Sequence, residues 1–93
     1  MKTVLLLSEK DSVLTCVADV RKGEALDYGG GTIAAANDIP IYHKIARTFI
    51  PAGEKVYKYG EVIGIATANI HPGEHVHVHN VEGSRGRGDK KGD

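Results

Sequence analysis

The chain has 93 residues, and its 12 basic and 12 acidic side chains cancel to a formal net charge of zero with histidine neutral. That length holds one small domain with a single thin core, and the charge balance speaks against nucleic-acid binding and against a polybasic membrane mode. Twelve glycines and no Trp suggest many turns between short strands.

Met1 to Leu7 is a short apolar run, too short for a membrane span or a signal peptide, and reads as a buried strand. Ser8 to Ser12 are polar turn formers. Val13 to Ala18 is a second strand, rich in β-branched residues. Within it lies Cys16, the single cysteine, so no intrachain disulfide is available and a reducing, cytoplasmic setting is expected. No local base accompanies Cys16, and a packed, inert thiol is the expectation.

A repeated unit then organises the chain. An apolar β-branched residue is followed by two positions, a glycine, a charged residue, one further position and another apolar residue. The copies are Val20-Arg21-Lys22-Gly23-Glu24-Ala25-Leu26, Ile50-Pro51-Ala52-Gly53-Glu54-Lys55-Val56 and Ile70-His71-Pro72-Gly73-Glu74-His75-Val76. A degenerate copy is Ile39-Pro40-Ile41-Tyr42-His43-Lys44-Ile45, where Tyr42 stands for the glycine. Proline fixes φ and glycine supplies φ > 0, so each copy reads as a sharp reversal between short strands. The recurring Glu24, Glu54 and Glu74 read as structural, solvated or bonded to the turn backbone.

Between the copies, Gly29-Gly30-Gly31 forms a loop tip and Thr32 to Ala36 a strand. Lys44 to Phe49 is extended or a mixed turn. Val56 to Lys58 and Val62 to Ala66 flank Tyr59-Gly60-Glu61, a tight hairpin signature. Glu74 to Val81 is the last strand. Residues 83–93 have no apolar side chain and read as a disordered, linker-like tail after a folded domain of residues 1–82.

The last strand carries the chemistry. Alternation in an extended strand puts His75, His77 and His79 on one face and Val76 and Val78 on the other. Neighbouring histidines two apart lie within roughly 7 Å, close enough to converge on one divalent ion. They are the candidate metal ligands, with further ligands from elsewhere. His77 and His79 are also candidates for acid–base work, since histidine titrates near neutrality. A solvated polar face is the plainer alternative. His43 and Lys44 in the degenerate turn, with Asn80 at the strand end, are the candidate substrate-binding residues, since Lys is a point charge with three donors and Asn both donates and accepts. No strand–Gly-rich loop–helix arrangement supports a nucleotide site.

Several motifs, in order, resemble the small subunit or N-terminal domain of the altronate and galactarate dehydratases: Asn37-Asp38-Ile39-Pro40 with His43-Lys44-Ile45-Ala46, Lys58-Tyr59-Gly60 with Ile63-Gly64, Gly73 to Asn80, and Ser84-Arg85-Gly86-Arg87-Gly88-Asp89. The small subunit of sulfolactate sulfo-lyase is similar. The resemblance runs from about Val13 to Asp89. It implies a mainly β, SAF-like β-clip of short strands and hairpins with little helix. It also implies elimination of water, or of sulfite, from a sugar acid. A large dehydratase subunit would complete the active site and hold most of a divalent metal such as Fe2+. The chain alone would then be inactive or nearly so. Expected partners are that large subunit, a sugar acid and, as an option, further copies of the chain; nucleic acid and membrane are not expected. The competing readings are a non-catalytic module that binds a sugar acid or a protein, and a metal-buffering module. One departure stands out: the family often has glycine where this chain has Tyr42.

Overall fold

The computed structural model describes residues 3–83. The tail expected to be disordered therefore lies outside the described residues. Among the described residues nine short strands form: β1 (Val4–Leu5), β2 (Val13–Cys16), β3 (Ala25–Asp27), β4 (Thr32–Ala34), β5 (Lys44–Ala46), β6 (Lys55–Lys58), β7 (Glu61–Ala66), β8 (His75–Val76) and β9 (Val81–Glu82). There is no helix among the described residues, as a mainly β, SAF-like domain requires. No helix is long and apolar enough to cross a membrane.

The strands pair antiparallel in three small sheets, ordered β1-β2-β5-β8, β3-β4 and β6-β7-β9. Two apolar clusters fill the interior. Val4, Leu14, Cys16, Val20, Leu26, Ala35, Ile39 and Ile45 form one; Val13, Ala46, Ile50, Val56, Ala66, Ile70 and Val76 form the other. Adjacent residues of β2, Val13 and Leu14, enter different clusters, and so do Ile45 and Ala46 of β5. The two central strands therefore divide the core, because successive side chains of a strand point to opposite faces.

The four repeats are four copies of one corner. In each, the N–H of the fourth turn residue donates to the carbonyl of the first: Glu24 to Arg21, His43 to Pro40, Glu54 to Pro51 and Glu74 to His71, at 3.0 to 3.1 Å. The third residue has positive φ, at +90° for Gly23, +73° for Tyr42, +90° for Gly53 and +91° for Gly73. That pattern is a type II turn, and it explains the glycines. The N–H of each third residue then crosses to another segment: Gly23 to Ala35, Tyr42 to Cys16, Gly53 to Ala66 and Gly73 to Ala46, at 2.7 to 2.9 Å. The opening residues pair as bridges, Val20 with Ile39 and Ile50 with Ile70. The corners thus associate two by two.

Side chains reinforce the first pair reciprocally: Asp38 Oδ1 accepts from the N–H of Lys22 (2.8 Å), and Asp19 Oδ1 from that of Ile41 (2.9 Å). In the second pair only Asn69 Oδ1 accepts, from Ala52 (2.9 Å); the corresponding residue of the other corner is Pro72, which has no N–H to give. The glutamates at two corners bond their own turn, Glu24 Oε1 accepting from Arg21 N–H and Glu74 Oε1 from His71 N–H. Glu54 faces Pro51 and lacks that bond for the same reason as Pro72.

Two strand expectations are corrected. The N-terminal strand is only Val4–Leu5, and Leu5 and Leu7 are exposed. The last strand does not run from Glu74 to Val81. It stops at Val76, turns through residues 77–80 and resumes at Val81. The cause is Asn80, whose amide Nδ2–H donates to the carbonyl of His75 (2.8 Å) while its Oδ1 accepts from the N–H of His77 (3.0 Å). An asparagine that satisfies both groups locally offers the backbone an alternative to the ladder. Val78, expected on the buried face, is 82% exposed.

Candidate functional site

The turn at residues 77–80 does not scatter the histidines. The register of β5 on β8 pairs Lys44 with Val76 and Ile45 with His75. Continued by one residue, that register sets His43 opposite His77. Their rings stack with centroids 4.2 Å apart and 22° between planes. His43 also reaches His75, with Nδ1 and Nε2 separated by 2.8 Å. At that distance one nitrogen carries a proton and the other offers its lone pair. One ligand nitrogen from each of His43, His75 and His77 fits within 4.8 Å of the others. His79, expected in this set, stands at its edge on the exposed turn, its ring tilted at 5.3 Å from His75.

The chemistry of this donor set suits a divalent transition metal, which takes neutral imidazoles. Within the cluster His75 and His77 favour the neutral ring. Burial, then the neighbouring His43, His79, His77 and Lys44, push the His75 imidazolium down to about 4. His77 is lowered as well, by burial and then by His43, Lys44 and His79. Three rings, His43 just before β5, His75 in β8 and His77 just after it, would leave coordination positions of such an ion open.

Beside the cluster runs a groove of about 400 Å³, lined by Lys44, Lys58, Tyr59, Ile63, His77, Val78, Val81 and Gly83. His77 belongs to both groove and cluster. Lys44 is half-buried, and burial followed by repulsion from Lys58 lowers its ammonium from the ordinary value. Lys58 sits over the Tyr59 ring, with Nζ 5.1 Å from the centroid.

The elements that hold Lys58 are specified far away in the sequence. Tyr59 and Gly60 both have positive φ, +59° and +74°, and close the β6–β7 hairpin in two residues. Asp11 is 1% exposed and caps that turn, with Oδ2 accepting from Tyr59 N–H (3.1 Å) and Oδ1 from Gly60 N–H (2.8 Å). Ser12 Oγ accepts from Tyr57 N–H (2.9 Å). Arg47 donates to the carbonyl of Asp11 through Nε (2.9 Å), so the loop before β2 is fixed from both sides.

Of the residues named from sequence, His43, His75 and His77 come together, Lys44 lines the groove, and His79 flanks the cluster. Asn80 is 8% exposed with its amide committed to the turn, so it shapes the site from beneath. Lys58 and Asp11 were not among them. Lys58 lay inside a recognisable hairpin motif, but nothing local indicates that β6 of this hairpin lies beside β2. Cys16 is fully buried, its thiol pushed up to about 11 by burial and by Glu24, as a packed thiol should be.

The chain is a small all-strand domain whose clustered imidazoles lie beside a groove lined by Lys44 and Lys58. The model of the altronate/galactarate dehydratase SAF domain matches residues 2–84, and the chain belongs to that SAF-domain family. It is 40% identical over 82 residues to an altronate dehydratase of Bacillus subtilis, covering 88% of this chain and 16% of that protein. Against the altronate dehydratase of Escherichia coli it is 40% identical over 71 residues, 76% of this chain and 14% of the other. Against the (2R)-sulfolactate sulfo-lyase subunit alpha of Paracoccus pantotrophus it is 43% identical over 53 residues, 57% of this chain and 79% of that subunit. The matched part of the chain thus spans only a small fraction of the altronate dehydratases, and most of the sulfo-lyase subunit.

Proposed function

We propose that this chain is the SAF-domain component, as small subunit or N-terminal domain, of a sugar-acid hydro-lyase of the altronate/galactarate dehydratase type, or of the related sulfo-lyase type. It contributes side chains to an active site completed by a larger chain or domain. The observation that carries this reading is the convergence of His43, His75 and His77 next to the Lys44 groove, within a domain of this family. The groove beside the histidines is open to its surroundings, and in this reading the larger partner supplies the remaining walls of the site.

In this reading His43, His75 and His77 hold a divalent ion such as Fe2+ together with ligands from the partner. When bound, such an ion would stabilise negative charge building on the substrate carboxylate as a base of the larger chain takes the neighbouring proton. Lys44 attracts that carboxylate. Asn80 holds the backbone of His75 and His77 so that both rings face His43. In the same reading His79, exposed at the rim, passes a proton to the leaving hydroxyl. A site in the cytoplasm suits this metabolic chemistry.

The test is reconstitution with the large dehydratase chain encoded in the same genome. Turnover of altronate, galactarate or sulfolactate should require this chain and should fall at least about a hundredfold in His77→Ala, the scale of losing a positioned catalytic group, with the complex still assembled. Equal turnover with and without the chain sinks the proposal. Loss of assembly in His77→Ala with the larger chain's chemistry intact favours the non-catalytic binding module.

A further inference from the structure

Lys58 has no role in the reading above, yet it shares the groove with Lys44 and His77. Its ammonium is not free to wander. The Asp11-capped turn fixes the end of β6, and the Tyr59 ring lies under Nζ at 5.1 Å. Cation–π contact holds a charge in place without neutralising it. The ion pair of His71 with Glu74, at 3.7 Å, lies away from this groove. Two half-buried lysines, one on β5 and one on β6, line a single groove, and no carboxylate is among its described lining residues. The remaining lining is largely apolar, from Ile63, Val78 and Val81. Like charges gathered on a partly desolvated surface are unfavourable until an anion sits between them.

We propose that Lys44 and Lys58 form a two-ammonium clamp for one acidic group of a hydroxylated organic acid, either a carboxylate or a sulfonate. Lys58 is a binding residue and the Asp11-capped hairpin is its mount. Each ammonium offers three donors, so the pair can satisfy the several lone pairs of either group. The groove then directs the rest of the ligand along its apolar wall towards His77. The inference rests on the proposed sugar-acid chemistry for its ligand class, but the clamp belongs to this chain and needs no partner or metal.

The experiment is a heteronuclear NMR titration of the full chain, in chelator and at low salt, with tartrate, isethionate and erythritol as probes. Tartrate supplies a carboxylate, isethionate a sulfonate, and erythritol the hydroxyls alone. Tartrate, isethionate or both should shift Lys44, Lys58, His77 and Val78 together, while erythritol leaves them in place. Which acid binds more tightly tells carboxylate from sulfonate recognition. Lys58→Gln should weaken binding about tenfold, the scale of losing one charge-assisted hydrogen bond. Lys58→Arg should keep most of it, and Lys22→Gln, at an exposed site, should change nothing. Unchanged affinity in a folded Lys58→Gln overturns the clamp, as do shifts spread evenly over all surface lysines, equal response to erythritol, or no response at all. Activity with the larger chain is a separate readout. Anion binding lost in Lys58→Gln without any reconstituted turnover leaves the clamp standing and the hydro-lyase reading fallen; turnover with anion binding indifferent to Lys58 does the reverse.

Discussion

His43 stacks on His77 at 4.2 Å across the extended register of two strands. The two residues are 34 positions apart, and their contact decides which imidazoles can act together. The period-two alternation of the last segment would group His75, His77 and His79. The fold groups His75 and His77 with His43.

Metal titration distinguishes the two sets. Co2+ added to the purified chain should bind with one-to-one stoichiometry. His43→Ala and His75→Ala should each weaken binding by about tenfold or more, since each removes an imidazole from the ligand set. His79→Ala should change it by less than about threefold, the smaller effect of a neighbour that is not a ligand. The visible absorption of bound Co2+ is the readout. Equal losses for His79→Ala and none for His43→Ala would restore the strand-face set.

Acid should loosen the fold through His75. Its pKa is depressed to about 4 from the ordinary 6.5, so between those values the unfolded chain binds the proton more readily than the folded one. Stability therefore rises with pH across that window, is fully present above about 6.5 and is lost as pH falls towards 4. Urea midpoints measured in chelator from pH 7.5 down to about 4 should show this slope. His75→Gln should flatten it; an unchanged slope would mean that other groups carry the acid sensitivity.

The corner glycines are not equivalent. A Cβ on Gly23 or Gly53 meets nothing within 4 Å, so alanine there costs only the positive-φ penalty, about 1–2 kcal/mol. A Cβ on Gly73 would collide with the carbonyl oxygen of Ala34, whose neighbour Ala36 donates to the Gly73 carbonyl at 2.7 Å. Gly73→Ala should cost more than about 3 kcal/mol, strain plus a forced shift of backbone. Chemical denaturation of the three variants checks the order, and similar losses in all of them would remove the collision from the account.

Tyr42 tests the same corner in the opposite direction. It holds φ at +73° with its ring 73% exposed, so no burial compensates the conformation. Tyr42→Gly removes a penalty of about 1 kcal/mol and adds a comparable or smaller entropic cost in the unfolded chain. The net change should be small and stabilising, under about 1 kcal/mol. A loss well beyond that range would show that the phenol makes a contact the fold depends on.

What could be read from sequence follows the reach of each signal. The Tyr59-Gly60 hairpin and the four corners were legible because a turn is decided by the residues inside it. The degenerate copy was legible even with Tyr42 in place of glycine, since its flanking Ile39 and Ile45 kept the spacing. The break after Val76 was not, because Asn80 competes with the ladder through its amide, and alternation of His and Val masks that competition. Neither the entry of His43 into the cluster nor the approach of Lys58 to the groove was visible. Both depend on β5 finding β8 and on β6 lying beside β2, which no local pattern encodes.

The divided core has a consequence for how the site comes into being. The first two corners pair across 19 positions and the last two across 20, so each half gathers most of its apolar cluster from nearby chain, Val13 crossing to the second. His43 belongs to the first pair of corners, and His75 and His77 follow the second. The imidazoles meet only when β5 joins β8 and the halves dock. Any ligand that bridges them stabilises the docked state and not the separate halves, so its binding would appear as added cooperativity of folding, with slower unfolding and protection of the β5–β8 amides from exchange.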